Sequence, residues 1–80
     1  MQESNEQELN GLESNEYINY LDALSDYATA QQDYTVHSVL FTSLPTPSNA
    51  AHLAVQQERL VNAYNAVNVR LIEFNQLLNN

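Results

Sequence analysis

The sequence predicts an all-α protein, an antiparallel, coiled-coil-like hairpin of two long helices preceded by a mobile acidic tail. Three observations carry this expectation. Aromatic residues recur every seventh position from Tyr20 to Phe41. A 3–4 alternation runs from Ala50 to Leu78. Between them lies Leu44-Pro45-Thr46-Pro47-Ser48. Alternating steps of three and four keep side chains on one helical seam, and helices joined by a short turn pack antiparallel.

Residues 1–13 are polar and acidic, hold the single glycine (Gly11), and carry only Leu9 and Leu12 as internal apolar positions. Ser4 and Gln7 match a capping box, but no sustained apolar stripe follows. The expectation is a tail that orders, if at all, on binding. The hairpin then occupies 14–80, with helices over about 15–44 and 47–78.

Ser14 or Asn15 can cap the first helix, and Glu16 falls in its first turn, where the macrodipole favours negative charge. No glycine or proline follows until Pro45. Tyr20, Tyr27, Tyr34 and Phe41, with Ala23, Ala30, His37 and Leu44 between and after them, form the seam; Leu21, Leu24 and Ala28 widen it. Residues 35–42 (Thr35, Val36, Val39, Leu40, Phe41 and Thr42 among them) are rich in strand formers. Helix is preferred, because a lone strand here would have no partner.

Proline disfavours the helical conformation in the residue before it, so the first helix stops near Ser43 or Leu44. Thr46 can cap a second helix with Pro47 at its first position. In that helix Ala50, Leu53, Gln57, Leu60, Tyr64, Val67, Leu71, Phe74 and Leu78 make the ridge, and only Gln57 is polar. Ala54 and Val61 flank one side of it, Ala63 and Leu77 the other. At 1.5 Å per residue the arms run about 43 and 48 Å, long enough to pair along their whole length. The heptad spacing implies a gentle left-handed wrap.

Val55, Val69 and Ile72 lie off the ridge. A two-helix contact does not need apolar residues on so many sides. They are therefore read as a second contact surface for a partner, against the alternative that scattered exposed apolar residues are ordinary.

The composition narrows the function. Eighty residues without cysteine have neither disulfides nor thiolate metal sites to stabilise a small core. A protein partner, self or other, is the expected remedy. The net charge is −8; residues 1–40 hold eight acids and no Arg or Lys, whereas in 41–80 Glu58 and Glu73 balance Arg59 and Arg70. Such a surface repels phosphate and anionic membranes, which excludes nucleic-acid binding as the expected role. The plainest reading of the acids is a solvated face, although they would also suit a basic partner. No apolar run approaches a membrane span, and the N-terminus lacks the layout of a cleavable signal. The expected location is cytoplasmic, or secreted without such a signal.

The residues do not suggest catalysis, and no cofactor or metal is expected. His37 and His52 are too few for a metal site, and His37 on the aromatic seam reads as a hydrogen-bonded interface residue. Histidine there would make packing mildly pH-dependent. Asp22 and Asp26 share a helix face instead of flanking a cleft, as glycoside hydrolysis would require. There is no Gly-rich phosphate loop and no Ser–His–Asp spacing. The five tyrosines read as packing with hydroxyls at the rim. Antiparallel arms bring Arg59 to the level of Asp33 and Arg70 to that of Asp22, which would set register. Arg70 and Glu73 can also pair within one face.

Pro47-Ser48-Asn49, Leu53-Ala54, Gln57, Leu60 and Tyr64, together with the run Ala54-Val55-Gln56-Gln57, resemble the second helix of type III secretion needle subunits over about 30 residues. The resemblance implies a helical hairpin that polymerises into a hollow extracellular filament and leaves the cell without a cleaved signal. The ending Leu77-Leu78-Asn79-Asn80 departs from the family's apolar, aromatic tail, and the acidic first half is similar instead to the small helical chaperones that hold needle subunits before export. A coiled-coil subunit of a larger eukaryotic assembly suits the Asn- and Gln-rich composition equally. All three are non-enzymatic protein–protein interaction roles.

Overall fold

The structure, a computed structural model, describes residues 14–79. The acidic tail expected over 1–13 lies outside the described residues. Among these residues two helices form, α1 (Asn15–Ser43) and α2 (Pro47–Asn79), packed against each other as an antiparallel hairpin.

Ser14 starts α1. Its backbone is extended (φ −67°, ψ 156°) and its Oγ accepts from the Tyr17 amide at 3.1 Å. That satisfies one of the amides a helix start leaves without a partner. Glu16 sits in the first turn. Helix continues without interruption through the β-branched stretch 35–42. There Thr35 and Thr42 donate their hydroxyls to the carbonyls of Gln31 and Ser38, each at 2.9 Å. Back-bonding of this kind satisfies a threonine hydroxyl inside a helix, while Tyr34, His37 and Phe41 keep the period that faces α2.

Hydrogen bonds run through the break between the helices. The Leu44 amide still reaches the Leu40 carbonyl at 2.8 Å, after which Leu44 leaves the helical region (φ −142°, ψ 82°). A following proline disfavours the helical conformation at this residue. The Thr46 amide turns back onto the Leu44 carbonyl at 2.8 Å, a γ-type turn about Pro45. The same carbonyl accepts from Asn49 Nδ2 at 2.8 Å. Thr46 caps α2 through its Oγ1, which accepts from the Asn49 amide at 3.1 Å, and its carbonyl accepts from the Ala50 amide at 2.9 Å. Pro47 occupies the first turn, where its missing N–H costs nothing. Two residues, Thr46 and Asn49, thus tie the end of α1 to the start of α2.

With two helices there is one interface. Ala23 and Ala30 are its only buried residues among those described, at 7% and 3% exposure. Both lie on α1, midway between the tyrosines. Small side chains at these points let the helix axes approach while the rings spread to either side.

The hinge can be tested against the seam. Thr46→Ala removes the cap of α2 and should cost about 1 kcal/mol in urea unfolding. Thr42→Ala, whose exposed hydroxyl bonds only within α1, should stay within about 0.5 kcal/mol.

Candidate functional site

The surfaces with the capacity to do something are the seam and the apolar flanks it leaves uncovered. Tyr20, Tyr27, Tyr34, His37 and Phe41 are all half-buried on the side of α1 that carries Ala23 and Ala30. On α2 the half-buried apolar residues are Leu53, Leu60, Ala63, Val67, Leu71 and Phe74. Aromatic rings pin the open end of the hairpin: Phe74 lies 5.1 Å from Tyr17 and 6.3 Å from Tyr20, nearly parallel to the latter. At mid-length Tyr27 meets Tyr64 at 5.8 Å. Toward the hinge Arg59 approaches Asp33 at 3.6 Å, and the His37 and His52 rings lie 6.2 Å apart. Each step along α1 toward the hinge is matched by an equal step back along α2, so a single register holds over the full length.

On α2 the seam lies slightly round from the ridge expected from the apolar pattern. Leu53, Leu60, Val67 and Phe74 face α1 as that pattern implied. The row between them is Gln56, Ala63 and Arg70, which are half-buried; of the expected ridge Leu71 is half-buried as well, whereas Ala50, Gln57 and Leu78 are exposed. Tyr64 keeps its contact with Tyr27 but is 52% exposed, and so sits at the edge of the interface. The reason is steric. α1 presents alanine and tyrosine in alternation, and the helices close best when a small residue such as Ala63 points inward and the larger Tyr64 is swung to the flank. Ala30 and Ala63 border the same shallow depression. Ala63 was the available signal, since a small residue beside a large one favours the inward position wherever two helices approach closely.

Among the described residues two ion pairs form, both between side chains that keep about half of their surface in water. Arg59 Nη1 bridges Asp33 and also donates to Gln56 Oε1 at 3.0 Å. The level matching of Arg59 with Asp33 thus becomes a contact. Arg70 does not reach Asp22; its Nη1 pairs with Glu73 Oε1 at 2.9 Å in its own helix. A neighbour one turn away on the same helix needs no reach across the seam.

His37 Nδ1 donates to the Asp33 carbonyl at 2.8 Å, which holds the ring against its own helix. Among the described residues no three His, Asp or Glu side chains gather as a metal site, and no helix is long and apolar enough to cross a membrane. The surface depressions are shallow and open. One is lined by Glu16, Asn19 and Glu73 near the open end, another by Ala28, Gln31 and Thr35 on α1.

Among the described residues fourteen large apolar side chains are exposed, against two buried alanines. Val55, Val69 and Ile72, at 54%, 50% and 56%, are among them and lie on the outer side of α2. Leu21, Leu24 and Val61 are exposed on the flanks of the seam.

The close approach of the helices sets a clear expectation. Ala30→Leu should overpack the seam and cost about 1–3 kcal/mol, and Ala51→Leu on the exposed side of α2 should stay within about 0.5 kcal/mol. For the cross-helix pair, a double-mutant cycle on Asp33→Asn and Arg59→Gln should give a coupling of about 0–1 kcal/mol. That coupling should shrink as salt is added.

No family model matches the chain, and neither curated proteins nor solved structures give a match.

Proposed function

We propose that this chain is a non-enzymatic protein–protein interaction subunit. The observation that carries the reading is the imbalance between core and surface among the described residues: two buried alanines against fourteen exposed large apolar side chains. A two-helix contact of this kind supplies little net stability, because ordering each residue costs about 1–2 kcal/mol of backbone entropy. Covering the exposed flanks with another protein surface adds the missing burial at roughly 25 cal/mol per Å². Val55, Val69 and Ile72 belong to the surface available for such contacts. The carboxylates support the same reading. Asp22, Asp26 and Glu58 are exposed to water, a placement that favours solubility and partner choice over acid–base chemistry.

Within this class we favour a needle-like or needle-associated component of a type III secretion system, on the strength of the proline turn and the Leu53 to Tyr64 segment of α2. The alternative is a small acidic chaperone or a coiled-coil subunit of a larger eukaryotic assembly, supported by the excess of acids in the first half of the chain.

Thermal unfolding of the dilute chain, followed by circular dichroism at about 1 µM, tests the class. The expected result is a broad, shallow transition beginning below the roughly 45–65 °C typical of self-sufficient domains. A sharp, cooperative melt of a monomer above that range would mean that the hairpin needs no partner, and would overturn the reading.

A further inference from the structure

The two flanks of the hairpin differ in one respect that neither helix shows alone. On a 3.6-residue helix the positions flanking the seam fall on two sides. The contact between Asp33 and Arg59 puts both residues on the same flank. Asp26 and Arg59 border one depression there, and Glu16 and Glu73 border another. The remaining charges of the described residues, Asp22, Glu58 and Arg70, lie on that flank, on the outer surface or in the seam. The opposite flank carries no charge over its full length. On α1 it runs through Leu21, Leu24, Ala28, Thr35, Ser38 and Thr42. On α2 it runs through Ala54, Val61, Tyr64, Leu71 and Leu78, with Gln and Asn in the gaps.

This uncharged flank is also graded in size. Its large members, Leu21, Leu24, Val61, Tyr64, Leu71 and Leu78, lie from mid-length to the open end. From mid-length to the hinge its apolar and hydroxyl members are small, Thr35, Ser38, Thr42, Ala50 and Ala54, with Gln31 and Gln57 as the longer, polar side chains among them. The hydroxyls of Thr35 and Thr42 are already bonded to their own helix, so these threonines can offer methyl groups to a neighbour.

We propose that the occupant of this flank is a second copy of the chain, turned end over end, so that two hairpins close into an antiparallel four-helix bundle. This rests on the interaction-subunit reading and names the partner. A two-fold axis near Ala28 and Val61 sets the bulky half of each copy against the small half of the other. A self-complementary patch of this form is what a two-fold interface requires, and four-helix bundles pack by the same seam geometry. The parallel arrangement would press leucine and tyrosine onto leucine and tyrosine at one end and leave voids at the other. Charge selects the same flank. Each chain carries −8, and two copies can meet without burying like charges only where neither has any. Acids on the outer surfaces still repel at a distance, so association strengthens with added salt.

Sedimentation of the full chain from about 1 to 500 µM should show a monomer–dimer equilibrium that tightens with salt. Leu21→Lys and Val61→Lys should each weaken it roughly tenfold or more, equivalent to about 1.4 kcal/mol. Ile18→Lys and Val55→Lys, equally exposed but off the flank, should leave it within about twofold. The chain has no native cysteine, so a spin label on Ser48→Cys reports orientation with the flank untouched. Hinge labels of the two copies should lie roughly 50 Å apart, given 1.5 Å per residue. A monomer at every concentration overturns the proposal, as does open-ended polymer growth. So do hinge labels in close proximity, or a dimer that the control variants weaken equally. A monomer with a broad, low melt removes the dimer and leaves the interaction-subunit reading standing. A monomer with a sharp, high melt removes both.

Discussion

The contact that the rest of the molecule depends on is the close approach of α1 and α2 at Ala23 and Ala30. These are the only points among the described residues where side chains leave water almost completely. An alanine brings a neighbouring backbone near but contributes little apolar area of its own. The area comes from the rings beside it: Tyr17, Tyr20 and Phe74 at one end, Tyr27 and Tyr64 at mid-length. Tyrosine suits an interface with water along both edges, since its ring packs while its hydroxyl stays hydrated. The seam is therefore narrow by construction, with small residues at its centre and amphipathic ones at its margins.

A narrow seam leaves the flanks of both helices in water. A helix in a hairpin can bury one stripe, and both helices here carry apolar residues on more than one side. The acids are arranged so that one flank is ionic, held by Asp33 and Arg59, while the other has no charge at all. Local ion pairing sharpens this division. Arg70, satisfied by Glu73 on its own helix, leaves Asp22 solvated on the outside. Among the described residues the hairpin thus presents one charged flank and one uncharged flank.

The hinge keeps these surfaces in phase. Because Leu44, Thr46 and Asn49 exchange hydrogen bonds across Pro45, the helices leave the turn at a fixed rotation. The register that starts there carries through to Phe74. A looser connection would let the helices slide and blur the distinction between the flanks.

The pair of helices and the place where they part are legible in the chain alone. Pro45 and Pro47 restrict the backbone wherever they occur, and the heptad recurrence of Tyr20, Tyr27, Tyr34 and Phe41 has one helical solution with a single facing side. The strand-forming composition of residues 35–42 gave way to that recurrence, with the threonine hydroxyls satisfied on backbone carbonyls. Only the tertiary structure decided which row of α2 completes the seam. Leu53, Leu60, Val67 and Phe74 are flanked on one side by Gln56, Ala63 and Arg70 and on the other by Gln57, Tyr64, Leu71 and Leu78, and the second row is the more apolar. Hydrophobic pattern alone therefore favours the second row. The first takes the inward position because the shape of α1, small at Ala23 and Ala30, admits Ala63 more closely than Tyr64. That choice depends on the facing helix, and no reading of α2 in isolation contains it.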